Sequence, residues 1–365
     1  MITGMTIGAG VLGLPYVIAQ TGAIIGFAYL LVIGLATIFL NLMIGEIAVR
    51  TNEPLQLAGF VGKYLGKPAK AFFSLASLFA SFGVLLAYLI GQGHALSALF
   101  RGEPFRWSIL FWFIVSAILW RSFSYISKVE KYLAAAVIGL IIILSVYLLP
   151  QAHLENILSY DLSKIFFPYG FVLFALSAMS SIVEAHALLP GSQRHFKKAV
   201  IIGTAIPIAV YLLFVAAVVG ASGLKTTEIA TLGLGAQFGP FAMLLGNIFA
   251  VLAMTTGFMC TGVALKQTLM WDHKINPTAA QWLTAVIPLS LFLFGLRSFI
   301  AVLDLVGGVI ISFMALCFVL ICWKAKKKGD LNASRYNLHH FWLLAIPVIA
   351  VFTFATVYYI VKMFI

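Results

Sequence analysis

The chain has 365 residues, of which 62% are hydrophobic and only 9% charged. A soluble domain carries roughly 25% charged residues, so a soluble globular protein is excluded; ten or more apolar runs reach the about 20 residues that a membrane-spanning helix needs. The net charge of +12 sits in short loops between these runs, where it reports topology and not a nucleic-acid footprint.

In chain order, the first apolar segment, at about 1–20, is unusual. Gly4, Gly8, Gly10, Gly13 and Pro15 fall within twelve residues. Glycine lowers helix stability and proline removes a backbone donor, so this segment is predicted to be broken. Non-helical backbone at membrane depth must be buried in protein or line a cavity. An interrupted segment is therefore a sequence pointer to a transporter's binding site. The segment has no basic n-region, so a cleaved signal peptide is not expected.

Ten further spanning helices are read at about 23–49, 70–99, 106–124, 130–149, 166–189, 198–221, 240–267, 279–295, 299–323 and 341–362. With the N-terminus on the cytoplasmic side, 17 of the 23 lysines and arginines fall in cytoplasmic loops, from Arg50 to the Lys324–Lys328 cluster and Arg335. Arg101, Arg106, Lys164, Lys225, Arg297 and Lys362 remain outside. The positive-inside rule thus predicts a multi-pass protein of the cell membrane with a cytoplasmic N-terminus and an external C-terminus. Cys260, Cys317 and Cys322 lie inside apolar segments without metal-ligand spacing and read as small hydrophobes.

Segment 6 is the second special one. The middle of Phe166–His186 turns to small and hydroxyl residues around Ser177, Ala178, Ser180 and Ser181, and then meets Glu184 and His186. Segments 1 and 6 are five apart and cross in opposite directions. This predicts an all-α integral membrane protein built as a 5+5 inverted repeat, with repeat one about 1–149, repeat two about 165–323 and an added helix about 341–362.

Ile7-Gly8-Ala9-Gly10-Val11-Leu12-Gly13-Leu14-Pro15-Tyr16, followed by Gln20-Thr21-Gly22, resembles the first-helix signature of the amino acid/auxin permease family, aromatic amino acid permeases included. That family belongs to the amino acid–polyamine–organocation superfamily. Phe174-Ala175-Leu176-Ser177 with Ile182-Val183-Glu184 resembles its helix 6, with Val183 where the family often has proline. Ala87-Tyr88-Leu89-Ile90-Gly91-Gln92-Gly93 resembles its helix 3. The resemblance implies the leucine-transporter-like fold with broken helices 1 and 6 and about 11 transmembrane helices, and ion-coupled symport of amino acids by alternating access.

On the family pattern, the amides of Ala9 and Gly10 meet the substrate carboxylate at the start of the outer half-helix, where free N–H groups and a positive dipole end favour an anion. Thr6, Ile7 and Gly8 line the unwound turn, Phe174 lies over the substrate, Ala175 and Ser177 flank its amine, and Tyr88 turns a hydroxyl toward its carboxylate. No cofactor beyond a coupling ion, Na+ or H+, is implied. A sodium site would use the Gly4 and Ile7 carbonyls with Thr255 and Thr256, although Gly257 stands where relatives place a serine. Proton coupling finds no lysine in the middle of segment 5. A full inner half of helix 1 would begin about ten residues before the break, whereas six precede Ile7, so either the sequence is truncated or the inner gate is short.

Each of these residues also has a structural reading. Gly8 and Gly10 could serve helix packing, the serines of segment 6 could be small packing residues, and Thr255 and Thr256 could bond back to their own helix. Glu184 and His186 fit a gate or a snorkelling position, Asp304 a pair with Arg297 or the outer vestibule, and His94 a hydrogen-bonded packing role. Ala175 and Ala178 leave room for a bulky side chain and no counter-charge is evident, so the expected substrates are neutral or aromatic amino acids. The competing reading is a transporter-like amino-acid sensor that binds without productive flux. An enzyme is disfavoured, because the chain has no HExxH motif.

Overall fold

The computed structural model describes residues 2–53, 55–121, 123–189, 193–296, 298–331 and 335–364. Among the described residues, eight helices are long and apolar enough to cross a membrane, and the shorter apolar helices Gly10–Thr21, Pro104–Ile118 and Pro277–Leu293 complete the eleven segments read from the sequence.

Segment 1 is two helices, α1 (Ile2–Thr6) and α2 (Gly10–Thr21), and segment 2 is α3 (Ala23–Arg50). A short helix α4 (Leu57–Leu65) precedes segment 3, α5 (Lys67–Phe100). Segments 4 and 5 are α6 (Pro104–Ile118) and α7 (Phe123–Leu148). After the small helix α8 (Leu154–Ile157), segment 6 is again two helices, α9 (Tyr169–Leu176) and α10 (Met179–Leu188). Segment 7 is α11 (Gln193–Ser222). Segment 8, α12 (Leu234–Gln267), is interrupted at Gly239 (φ 86°), just before Pro240, where the sequence places its start. Segment 9 is α13 (Pro277–Leu293), and segment 10 is α14 (Phe299–Leu305) joined through a π-helical stretch, Val306–Ile311, to α15 (Ser312–Lys328). Segment 11 is α16 (Phe341–Phe364).

Both expected breaks are present. α1 ends at Thr6, and Ile7 to Ala9 leave the helical path before α2 begins. In segment 6 the chain turns extended at Ser177 (φ −78°, ψ 127°) and leaves helical space again at Ala178 (φ −145°, ψ 36°). Pro15, by contrast, lies inside α2, a turn beyond the break.

Packing follows the repeat. Segment 1 packs on 6, segment 2 on 7, 3 on 8 and 4 on 9, each against the segment five later. Segments 6 and 8 bury 72% of their apolar windows against protein, whereas segments 5 and 11 bury 28%. Broken segment 6 is therefore central, and the continuous apolar outer helices carry the lipid-facing surface.

α4 is the element the sequence did not announce. Its N-terminal amides are held by a single carboxylate on the far side of the chain. Gln56 N–H donates to Asp272 Oδ1 at 3.2 Å and Gly59 N–H to Oδ2 at 2.9 Å, while Lys70 Nζ donates to the Asp272 carbonyl at 2.6 Å. An anion at a helix N-terminus satisfies donors that have no partner inside the helix. On the same face of the bundle, Glu46 is fully buried and receives both Arg50 and Lys326, at 2.7 and 2.9 Å. The start of α1 lies here too, which makes this the N-terminal face of the bundle.

Candidate substrate site

The two breaks open into one cavity of about 120 Å³. Of the residues expected at the site, Thr6, Gly8, Gly10, Tyr88, Phe174, Ala175 and Ser177 line it. Ile7 and Ala9 are buried at the break but do not line it. The lining continues through Ser77, Ser81, Ser180 and Thr268 to Leu57 at the start of α4. The cavity thus runs from the middle of the bundle toward the N-terminal face.

On the opposite side the half-helices close against each other. A Cβ placed on Gly10 would stand 2.6 Å from the Ala175 Cα, so α2 and α9 are in backbone contact beside the break. Above it, Gly13 meets the rings and side chains of Phe171 and Ile300, and the Ala230 amide donates to the Leu12 carbonyl at 2.9 Å. Asp304, expected beside Arg297 or in the outer vestibule, accepts from the Tyr359 hydroxyl, which itself accepts from the Gly170 amide at 3.1 Å. Arg297 lies outside the described residues.

Tyr88 is wedged between the two halves of the bundle. Its hydroxyl occupies the space where a Cβ of Gly8 would stand, and equally that of a Cβ of Gly257. The same hydroxyl interacts with the Ala9 amide and with Thr261. Gly257, a departure from the serine of the resembled pattern, is therefore the position that lets the Tyr88 ring reach the break.

Tyr211 on segment 7 was not singled out from the sequence. It is fully buried, and its hydroxyl donates to the Thr6 carbonyl at 2.6 Å and lies 3.2 Å from the Ala175 carbonyl. It joins the end of α1 to the last turn of α9. Its signal is a tyrosine in mid-segment, because a phenol in apolar surroundings needs a partner. Across the lower side of the breaks, Ser180 Oγ lies 3.7 Å from Met5 Sδ.

The hydroxyls of Thr255 and Thr256 donate to the Val251 and Leu252 carbonyls of their own helix, at 2.7 and 2.8 Å. Gly4 faces segment 5, where the Glu130 carboxylate and Ala134 meet it. His94 is exposed, not packed, and the His186 ring sits 5.1 Å from that of Phe196.

The architecture matches a crystal structure of MhsT in complex with L-phenylalanine, with a TM-score of 0.69 and 16% identity over 97% of both chains. That likeness gives the fold: the leucine-transporter-like arrangement with broken segments 1 and 6. Among curated proteins, the chain is 24% identical over 355 residues to glutamine transporter 2 of Aliivibrio fischeri, covering 93% of this chain and 91% of that one. It is 24% identical over 357 residues to tyrosine-specific transport system 1 of Haemophilus influenzae, covering 90% and 87%. Tyrosine-specific transport system 2 of the same organism is 30% identical over 228 residues, covering 59% and 55%. The tryptophan/tyrosine permease family matches residues 1–361, and the chain, a multi-pass membrane protein, belongs to that family.

Proposed function

We propose that the protein is a secondary active transporter of amino acids, neutral or aromatic, working by ion-coupled symport and alternating access. The observation that carries this reading is that both helix breaks open into a single cavity, closed on one side and continuous with the N-terminal face on the other. Family membership and relatives named for glutamine and tyrosine transport support it. So does the fold shared with a phenylalanine-bound protein. In this reading the family is a branch of the amino acid/auxin permeases and of the wider amino acid–polyamine–organocation superfamily.

The substrate carboxylate meets the amides of Ala9 and Gly10 at the start of α2, with the Tyr88 hydroxyl beside it. Phe174, Ala175 and Ser177 flank the amine and side chain, and Thr6, Ile7 and Gly8 form the turn beneath. Repeat one spans about 1–149 and repeat two about 165–323 of the sequence, with the helix at about 341–362 added. With the N-terminus cytoplasmic, as the basic loops indicate, the cavity faces the cytoplasm of the cell membrane. The coupling ion is Na+ or H+; a sodium site of Gly4, Ile7, Thr255 and Thr256 requires the two threonine hydroxyls to turn away from their own helix.

The test is uptake into proteoliposomes across all twenty amino acids, under imposed sodium, proton or no gradient. Gradient-dependent accumulation of at least one neutral or aromatic amino acid is expected. Its absence across the panel overturns the reading, and binding without flux would favour the sensor.

A further inference from the structure

Segments 4 and 9 meet at a groove that lies apart from the substrate cavity. It encloses about 230 Å³, walled by Trp112, Phe113, Trp120 and Trp282 over a floor of Ser116 and Gln281. Two hydrogen bonds hold its shape. The Trp112 indole N–H donates to the Ala285 carbonyl at 2.7 Å, and Gln281 Nε2 donates to the Ser116 carbonyl at 3.1 Å. The floor is polar: the Ser116 hydroxyl and Gln281 Oε1 are buried there without a partner among the described residues. At the rim, the rings of Trp120 and Trp282 stand edge to face with centroids 6.1 Å apart, each about half exposed. Neither indole N–H has an acceptor among the described residues.

The rim lies toward the N-terminal face. Trp120 stands just past the end of α6, and Trp282 is in the first turns of α13, which follows the Asp272 that anchors α4 on that face. Tryptophan is suited to the membrane–water interface, where the ring contacts acyl chains and the N–H meets ester or headgroup oxygens. α6 and α13 carry no acidic residue. Cations gather at this end instead. Arg121 follows Trp120 and Lys274 precedes α13, both exposed and without an ion pair among the described residues. Lys266 of segment 8 donates to the Leu119 carbonyl at 3.2 Å, which brings a third positive charge to the end of α6. Asp272, the carboxylate two residues before Lys274, is already engaged by the Gln56 and Gly59 amides.

We propose that this groove binds one anionic phospholipid from the leaflet on the N-terminal side. An acyl chain lies against the indole rings, the free indole N–H groups meet ester oxygens, and the phosphate sits at Arg121 and Lys274. Basic pockets between spanning helices attract anionic headgroups in this way. A neutral lipid would leave the cations unmatched. A second copy of this chain is disfavoured as the occupant, because a two-fold contact through this patch would set Arg121 and Lys274 against their own like charges. The site is independent of the transport reading, since no residue of the substrate cavity takes part in it.

The experiment is native mass spectrometry of the full chain in detergent, exchanged against equimolar phosphatidylglycerol and phosphatidylcholine with the same acyl chains. Wild type is expected to retain one phosphatidylglycerol in preference to phosphatidylcholine by about tenfold. R121Q/K274Q should lower phosphatidylglycerol retention by about tenfold and leave phosphatidylcholine unchanged. K327Q/K328Q, which removes the same charge from the end of α15, should retain phosphatidylglycerol as wild type does. Ala117 lines the groove, so A117W should fill it and lower retention of both lipids. Equal retention of the two lipids by wild type overturns the proposal, as does an equal loss in the two charge variants. A dimer that A117W disrupts also overturns it, by putting a second copy in the groove. Should A117W fail to fold, quenching of indole fluorescence by brominated phosphatidylglycerol decides. Quenching is expected to fall in W120F/W282F, and quenching unchanged there overturns the proposal.

Discussion

The Tyr211 hydroxyl donates to the Thr6 carbonyl at 2.6 Å, tying an unbroken segment to the last residue of the half-helix α1. The same carbonyl also accepts from the Gly8 amide at 2.9 Å, so Tyr211 is its second donor, in membrane surroundings that offer little water. Losing one of two hydrogen bonds to a buried carbonyl costs about 0.5–1.5 kcal/mol. Tyr211→Phe is expected to lower the melting temperature in detergent by several degrees. It should also slow uptake by about tenfold with a smaller change in KM, since the contact sets the position of α1 more than it touches substrate. Thermal-shift and uptake measurements on the same preparation check both.

Tyr88 makes the complementary prediction on the substrate side. A hydrogen bond to a charged group is worth about 1.5–3 kcal/mol, so Tyr88→Phe should raise KM by about tenfold or more while the protein inserts and folds normally. Gly8→Ala places a methyl group where the Tyr88 hydroxyl now sits, and overpacking of this kind costs about 1–3 kcal/mol. Uptake should fall sharply in Gly8→Ala, and less in the Gly8→Ala/Tyr88→Phe double variant. Equal losses in the single and double variants would show that the hydroxyl is not the obstacle.

Asp272 anchors α4 from 213 residues away. Asp272→Ala removes acceptors from the Gln56 and Gly59 amides, a loss comparable to that of a helix cap at about 0.5–2 kcal/mol. Hydrogen exchange at residues 57–65 should quicken by about tenfold, with little change in the membrane-spanning helices. Because Leu57 lines the cavity, exchange at its mouth should respond too.

A surface pair near α4 has a defined pH dependence. Lys63 and the Asn52 amide, at 2.6 and 3.0 Å, hold the Asp330 carboxyl below the usual carboxylate range. A depressed folded-state value contributes stability above the unfolded value, roughly pH 3.9, and that contribution is lost as pH falls through the lower folded value. Protection of the Asn52 amide is therefore expected to be constant from about pH 5 to 8 and to decline only under stronger acid. Asp330→Asn should remove that decline.

The eleven segments and both breaks were legible because long apolar runs, glycine clusters and a hydroxyl-rich interruption are local signals. Seven of the expected site residues meet in one cavity for the same reason: the two breaks were visible, and the fold brings breaks together. What escaped depends on distance along the chain. α4 has nine residues, with Gly59 and Gly62 among them, too few for a periodic pattern to stand out. Its stability comes from Asp272, which nothing near it in sequence reveals. Tyr211 sits in a segment that reads as an ordinary span, and its role arises only when segment 7 packs beside α1. Thr255 and Thr256 show the converse. An adjacent hydroxyl pair suggests ligands, yet a helix carbonyl four residues back is always within reach.

The position of the Tyr88 hydroxyl also bears on what an empty carrier is. The amide of Ala9, where a carboxylate is expected to dock, is not bare: it faces a phenol supplied by the protein. A carboxylate arriving at that amide then meets the phenol as well, and the hydroxyl that lies against the amide in the unloaded protein turns to the incoming oxygen. A vacant site whose donor is already answered has less need of water, so the unloaded protein can cross between its two faces without carrying a hydrated, charged hole through the membrane.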